Sequence, residues 1–76
     1  MSETLLDTKG LNCPLPILKA RKSLNALPPG ALLRVLASDP ATKRDFPTFC
    51  RETGHQLLES IEPEKGVYGF LIKKVS

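Results

Sequence analysis

Residues 31–37, ALLRVLA, are apolar nearly throughout and stand directly behind Pro28-Pro29-Gly30, where no helix can continue. A short apolar run bounded in this way reads as a β-strand. Its lack of polar alternation makes it a central strand, buried on both faces or nearly so. The rest of the chain has to supply its neighbours and the layer that covers it. Residues 4–7 form a first strand, closed by Lys9-Gly10. A helical pattern then runs over residues 14–27, with Ile17, Ala20, Leu24 and Leu27 recurring every three or four positions and Leu18 widening the apolar face. Past the strand, Asp39-Pro40 and the Thr42/Asp45 pair are helix-start signals, the second resembling a capping box. They predict a second helix that begins between Pro40 and Lys43 and stops at Gly54. Pro47 inside it should weaken or kink it. Residues 55–62 and 67–74 read as two strands joined by the short connector Pro63-Glu64-Lys65-Gly66.

The order is therefore βαβαββ. It predicts an α/β fold: a two-layer α/β sandwich with a four-stranded mixed sheet and both helices on one face. Seventy-six residues make one small domain, residues 1–76, with a thin core that removes only roughly 60–65% of the unfolded surface from water. The polar N-terminus, MSETLLDTKG, does not read as a secretory signal, and no apolar run approaches membrane-spanning length. A cytoplasmic location is the resulting expectation, and there the two cysteines stay reduced. Cys13, Cys50 and His55 lack metal-ligand spacing, so neither a metal nor another cofactor is expected.

Charge is unevenly placed. Eight basic side chains stand against two acidic ones between Thr8 and Arg51, whereas both ends of the chain are acidic. A basic middle suits an acidic protein or a phosphate backbone. Aromatic content of 5% is too low for a base-stacking platform, so direct nucleic-acid binding is not expected.

One cysteine sits where a packing residue would not. In Gly10-Leu11-Asn12-Cys13-Pro14-Leu15-Pro16, Cys13 directly precedes the predicted first helix. With Pro14 as the first helical residue, Cys13 is the N-cap, where backbone amides and the helix dipole favour a thiolate. Pro14 and Pro16 have no N–H, so Leu15 and Ile17 are the donors left in the first turn, and a moderately lowered pKa is expected. No resolving cysteine lies nearby, which argues against a dithiol cycle. No orienting group or oxyanion hole accompanies His55, which argues against a Cys–His hydrolase. An exposed, activated sulfur with neither suits covalent carriage of a group between proteins.

These residues resemble the C-P-x-P motif of the TusA/SirA family of sulfur carriers. Residues 38–50, SDPATKRDFPTFC, resemble a second segment of that family, and the similarity runs from Leu6 to Lys74. The resemblance implies the same two-layer fold and a persulfide carried on Cys13. Sulfur would come from a cysteine desulfurase and pass to a relay acceptor protein, with 2-thiolation of wobble uridine in tRNA as the expected destination. The wildcard position, often glutamate in the family, is Leu15 here. Cys13 is thus the expected nucleophile of a sulfurtransferase, with Pro14, Leu15, Pro16 and Ile17 shaping the turn around it. Lys19, Arg21 and Lys22 project from the same helix and are candidates for docking acidic partners in transient complexes of a monomeric carrier. Cys50, with Phe46 and Phe49, reads as core; Asp45 and Pro47 read as setting the entry of the second helix. The alternative is an RNA- or protein-binding regulatory module in which Cys13 only caps a helix; its affinity would fall steeply with salt and survive loss of the thiol.

Overall fold

The computed structural model describes residues 3–75. Its elements follow in the order β1 (Glu3–Thr8), α1 (Leu15–Asn25), β2 (Leu32–Ala37), α2 (Thr42–Thr53), β3 (Gln56–Glu64) and β4 (Val67–Lys73). The four strands form one mixed sheet in the order β1-β2-β4-β3. β1 runs parallel to β2, and β4 is antiparallel to both β2 and β3. Ala20 and Leu24 of α1 and Phe46, Phe49 and Cys50 of α2 share one core with Leu33, Val35, Ala37, Phe70 and Ile72 of the sheet. Those strand residues are alternate positions on β2 and β4, so both helices cover the same face. The expected two-layer sandwich is the observed fold.

β2 is central, as expected, between β1 and β4, and its burial is uneven: it alternates between half-buried and buried residues. Leu32, Arg34 and Leu36 point to the face that carries no helix. Arg34 lies there between two acids, with Nε 2.8 Å from Glu3 Oε1 and Nη1 3.2 Å from Glu59 Oε1. β4 is the strand buried from both sides: Phe70 and Ile72 enter the core, while Leu71 on the opposite face is still only 8% exposed. Beside it, Gly69 leaves room for Ile61, whose side chain would crowd a Cβ placed there at 3.3 Å. β3, one of the two edge strands, is exposed over most of its length and interrupted by two register shifts, one of them next to Pro63. The turn from β3 to β4 is only Lys65-Gly66, and Gly66 supplies the positive φ of 83°.

The helix ends differ from the sequence expectation in ways that reshape the site. α1 starts at Leu15, and Pro14, not Cys13, is its N-cap. α2 starts at Thr42 behind Ala41, and the Thr42/Asp45 capping box does not form. The Thr42 hydroxyl instead donates to the Asp39 carbonyl at 2.6 Å, and Asp39 Oδ1 accepts the Ala41 N–H at 3.0 Å. Thr42 is buried, so a backbone carbonyl three residues back satisfies its hydroxyl better than an amide further along the helix. Pro47 lies inside α2 and offers no N–H to the Lys43 carbonyl. The helix nonetheless continues, because Phe46, Phe49 and Cys50 around it are buried. It ends as predicted at Gly54, whose φ is 84° and whose N–H reaches the Cys50 carbonyl.

Candidate active site

Cys13 lies exposed in the short turn between β1 and α1, at one end of the groove between the two helices. The Leu15 N–H, one of the two amides expected to face the sulfur, is already bonded to the Asn12 carbonyl at 2.9 Å. The neighbouring Pro14 and Pro16 have none to give. No side-chain cap bond forms at the start of α1, and the sulfur turns toward α2. There the Cys13 Sγ–H donates to Asp45 Oδ2 at 2.9 Å. The backbone on the same side is held by a second acid: Cys13 N–H donates to Asp39 Oδ2 at 2.6 Å. Gly10 N–H reaches Ser38 Oγ at 2.8 Å, and Thr8, buried at the end of β1, donates its hydroxyl to the Leu36 carbonyl. The loop from β2 into α2 thus forms the wall against which the cysteine turn rests.

This arrangement reverses the expected charge effect. The hydrogen bond to Asp45 comes first among the influences that raise the Cys13 pKa above the ordinary thiol value. Some desolvation and the charges of Asp45 and Asp39 act in the same direction, against a smaller lowering by Arg44. The expectation of a helix-lowered pKa is corrected on that ground: a carboxylate at hydrogen-bond distance outweighs a helix end that makes no cap bond to the sulfur. Asp39 shifts the other way. The Cys13 amide and then the Ala41 amide hold its carboxyl below the ordinary aspartate value. It therefore stays ionised, and it keeps the Cys13 backbone in place, wherever the pH is above the usual carboxylate range.

The groove encloses about 350 Å³ and is lined by Cys13, Pro14, Ile17, Arg21, Arg44, Asp45, Thr48, Phe49 and Glu52. Of the turn residues singled out from the sequence, Ile17 and Pro14 line it. Pro16 is buried in the first turn of α1, and Leu15 is exposed outside the groove. Of the three basic candidates on α1, Arg21 lies at the groove, with its guanidinium carbon 5.2 Å from the centre of the Phe49 ring. Lys19 and Lys22 are exposed and do not line it. Cys50 is buried in the core as expected, and burial pushes its thiol up to about 11. His55 packs 6.3 Å from Phe49 and accepts the Val75 N–H at its Nδ1, so it takes a structural position away from the cysteine. Among the described residues, no helix is long and apolar enough to cross a membrane.

Sequence reasoning missed the two aspartates as site residues. From the sequence, Asp45 reads as setting helix entry and Asp39 as a helix-start signal. The available signal was the joint occurrence of the segments at 10–16 and 38–50, which is what two stretches in contact across a site would produce.

The high thiol pKa of Cys50 has a consequence for stability. An unfolded thiol ionises near pH 9, whereas the buried one does not until about pH 11. The folded pKa is raised, so the contribution is complete below the unfolded value and is lost as pH rises from about 9 to about 11. Urea titrations over that range should show falling stability, and in Cys50→Ala the alkaline slope should flatten.

The chain is similar to known proteins along nearly its whole length. Residues 4–74 match the family model described as sulfurtransferase TusA. The chain is 55% identical over 69 residues to the sulfur carrier protein TusA of Allochromatium vinosum, covering 91% of this chain and 90% of that protein. It is 46% identical over 72 residues to the sulfur carrier protein TusA of Pseudomonas paraeruginosa, covering 95% and 90%. The crystal structure of a SirA-like protein from Desulfitobacterium hafniense superimposes with a TM-score of 0.84 at 26% identity, over 96% of this chain and 99% of that one. A matching model across nearly the whole chain, relatives at this identity and a shared four-stranded, two-helix fold lead to one conclusion: the chain belongs to the TusA sulfurtransferase family.

Proposed function

We propose that this protein is a sulfur carrier and sulfurtransferase that holds a persulfide on Cys13. It takes the sulfur from a cysteine desulfurase and passes it to a relay acceptor protein, with wobble-uridine 2-thiolation in tRNA as the end use. The observation that carries this reading is the placement of the two thiols: one exposed at the mouth of a groove, the other sealed in the core. A single reachable sulfur with no resolving thiol can receive and hand on an atom without closing an internal disulfide.

In the loading step, the Cys13 thiolate attacks the outer sulfur of a donor persulfide, R–S–SH. A bond forms between Cys13 Sγ and that sulfur, the donor S–S bond breaks, and the donor leaves as R–S⁻, which takes up a proton. Cys13–S–SH results, with no external oxidant or reductant. Unloading repeats the exchange, with an acceptor thiolate attacking the outer sulfur of Cys13–S–SH. Pro14, Leu15, Pro16 and Ile17 set the turn that presents the sulfur. Arg21 at the groove, with Lys19 and Lys22 on the same helix, offers positive charge to an acidic partner surface. The complexes are transient and the carrier acts as a monomer in the cytoplasm.

Incubation with a cysteine desulfurase and free cysteine, followed by intact mass measurement, tests this reading. The expected result is a one-sulfur adduct that reductant removes and that Cys13→Ser lacks. An adduct that persists in Cys13→Ser, or no adduct on the parent protein, overturns it.

A further inference from the structure

The sulfur that the carrier must ionise is hydrogen-bonded to an anion. Asp45 belongs to the first turn of α2, and its side chain is about 20% exposed, so it is set in place rather than swinging in solvent. Its Oδ2 accepts the Cys13 thiol. Its Oδ1 has a looser partner, Arg44 Nε at 3.8 Å, on a side chain that is 84% exposed. The second carboxylate at the site is differently engaged: Asp39 uses one oxygen for the Cys13 amide and the other for the Ala41 amide. Of the two anions beside the sulfur, Asp45 is therefore the one a new cation can take without dismantling the turn. The other charges facing this place are Arg44 beside Asp45, and Arg21 and Glu52 along the groove wall.

We propose that Asp45 is a proton lock on Cys13: it holds the sulfur as a neutral thiol in the free protein, and a cationic group of the docked partner pairs with Asp45 and releases the sulfur for exchange. Asp45 is a positioning residue in this scheme, since it acts through Cys13. The inference rests on the carrier reading above. Its consequence is that the exposed cysteine reacts slowly with small electrophiles and oxidants between partners: those react with the thiolate, and the lock keeps that form scarce. When the partner's cation pairs with Asp45, the S–H···O bond is lost, the thiol proton passes to solvent, and the thiolate attacks the donor's outer sulfur as already balanced. Asp45 stays a carboxylate throughout. The raised thiol pKa agrees with this geometry.

Two measurements test the lock. The first follows iodoacetamide alkylation of Cys13 against pH, read by peptide mass, in the parent, Asp45→Asn and Asp45→Glu. Asp45→Asn should alkylate at least about threefold faster at pH 7, with its midpoint moved down in pH, since thiolate fraction sets the rate. Asp45→Glu should move back toward the parent profile, a return that a merely structural role would not produce. An unchanged or slower Asp45→Asn profile overturns the lock. The second measures persulfide loading from a cysteine desulfurase. If docking opens the lock, Asp45→Asn gains clearly less in loading than in alkylation; an equal gain in both overturns opening by the partner. A parent protein that never loads, with the alkylation shift intact, overturns the carrier reading and leaves the lock standing, so the two failures are distinguishable.

Discussion

Replacing Phe46 by alanine is expected to remove a large share of the stability of the fold. Phe46 is fully buried, its ring stacks on Phe70 with centroids 4.6 Å apart, and Phe49 meets it edge-on at 6.4 Å. It ties α2 to β4, the strand buried on both faces. Truncating a buried phenylalanine costs about 3–5 kcal/mol, part of it from the cavity left behind. A domain of this length has a total stability of roughly 4–11 kcal/mol. The loss is thus of the same order as everything that holds the fold. Urea or thermal unfolding followed by far-UV circular dichroism should show a shortened or absent folded baseline. Phe46→Leu, which keeps most of the volume, should cost far less. The functional consequence is specific, because Asp45 adjoins Phe46 in the chain. If α2 loosens, the carboxylate that faces Cys13 loosens with it.

Asp39→Asn is expected to slow persulfide loading by on the order of tenfold to a hundredfold while leaving the secondary structure in place. Asp39 accepts two backbone N–H groups, from Cys13 at 2.6 Å and from Ala41 at 3.0 Å. Asparagine has one oxygen, so one of those amides would face an NH₂ donor instead. The Cys13 backbone then loses its fixed position, and displacement of a reacting atom by about 1 Å costs up to roughly a hundredfold in rate. Stopped loading assays with a desulfurase, set beside circular dichroism of the same variant, check this. Acid should reproduce the effect. The folded Asp39 pKa is depressed, so its contribution is complete above the ordinary aspartate value near 3.8 and is lost as pH falls through the folded one. Chemical shifts of the Cys13 and Ala41 amides should therefore hold steady through neutral pH and move together only below about 3.8.

The two aspartates also explain why the thiol was misread from the sequence. Helix-end reasoning is local: it considers the residues just before and just after a boundary. By that logic Cys13 precedes a helix and should be drawn toward the amides of Leu15 and Ile17. The structure removes the Leu15 amide by pairing it with Asn12, and it brings in Asp45 from 32 positions along the chain. A carboxylate 2.9 Å away governs the sulfur more strongly than its neighbours in sequence do. The same gap between local and tertiary information appears in β2. Its apolar composition reads as a central strand covered on both faces or nearly so; β2 is central, yet the strand with both faces covered is its neighbour β4.

What the amino-acid order determined by itself was the set of elements and their sequence along the chain. Proline and glycine restrict φ and ψ wherever they stand, so Pro28-Pro29-Gly30, Gly54 and Lys65-Gly66 mark boundaries that survive in the structure. Apolar spacing depends only on residues a few positions apart, which is why both helices, the sheet class and the buried Cys50 were legible. Only the tertiary structure decided which strand is covered on both faces, which face stays open, and which charge meets the sulfur. Those outcomes depend on contacts between residues dozens of positions apart. At Cys13 they reverse the sign of the shift: the nearby helix favours an ion, and the distant aspartate holds the proton on.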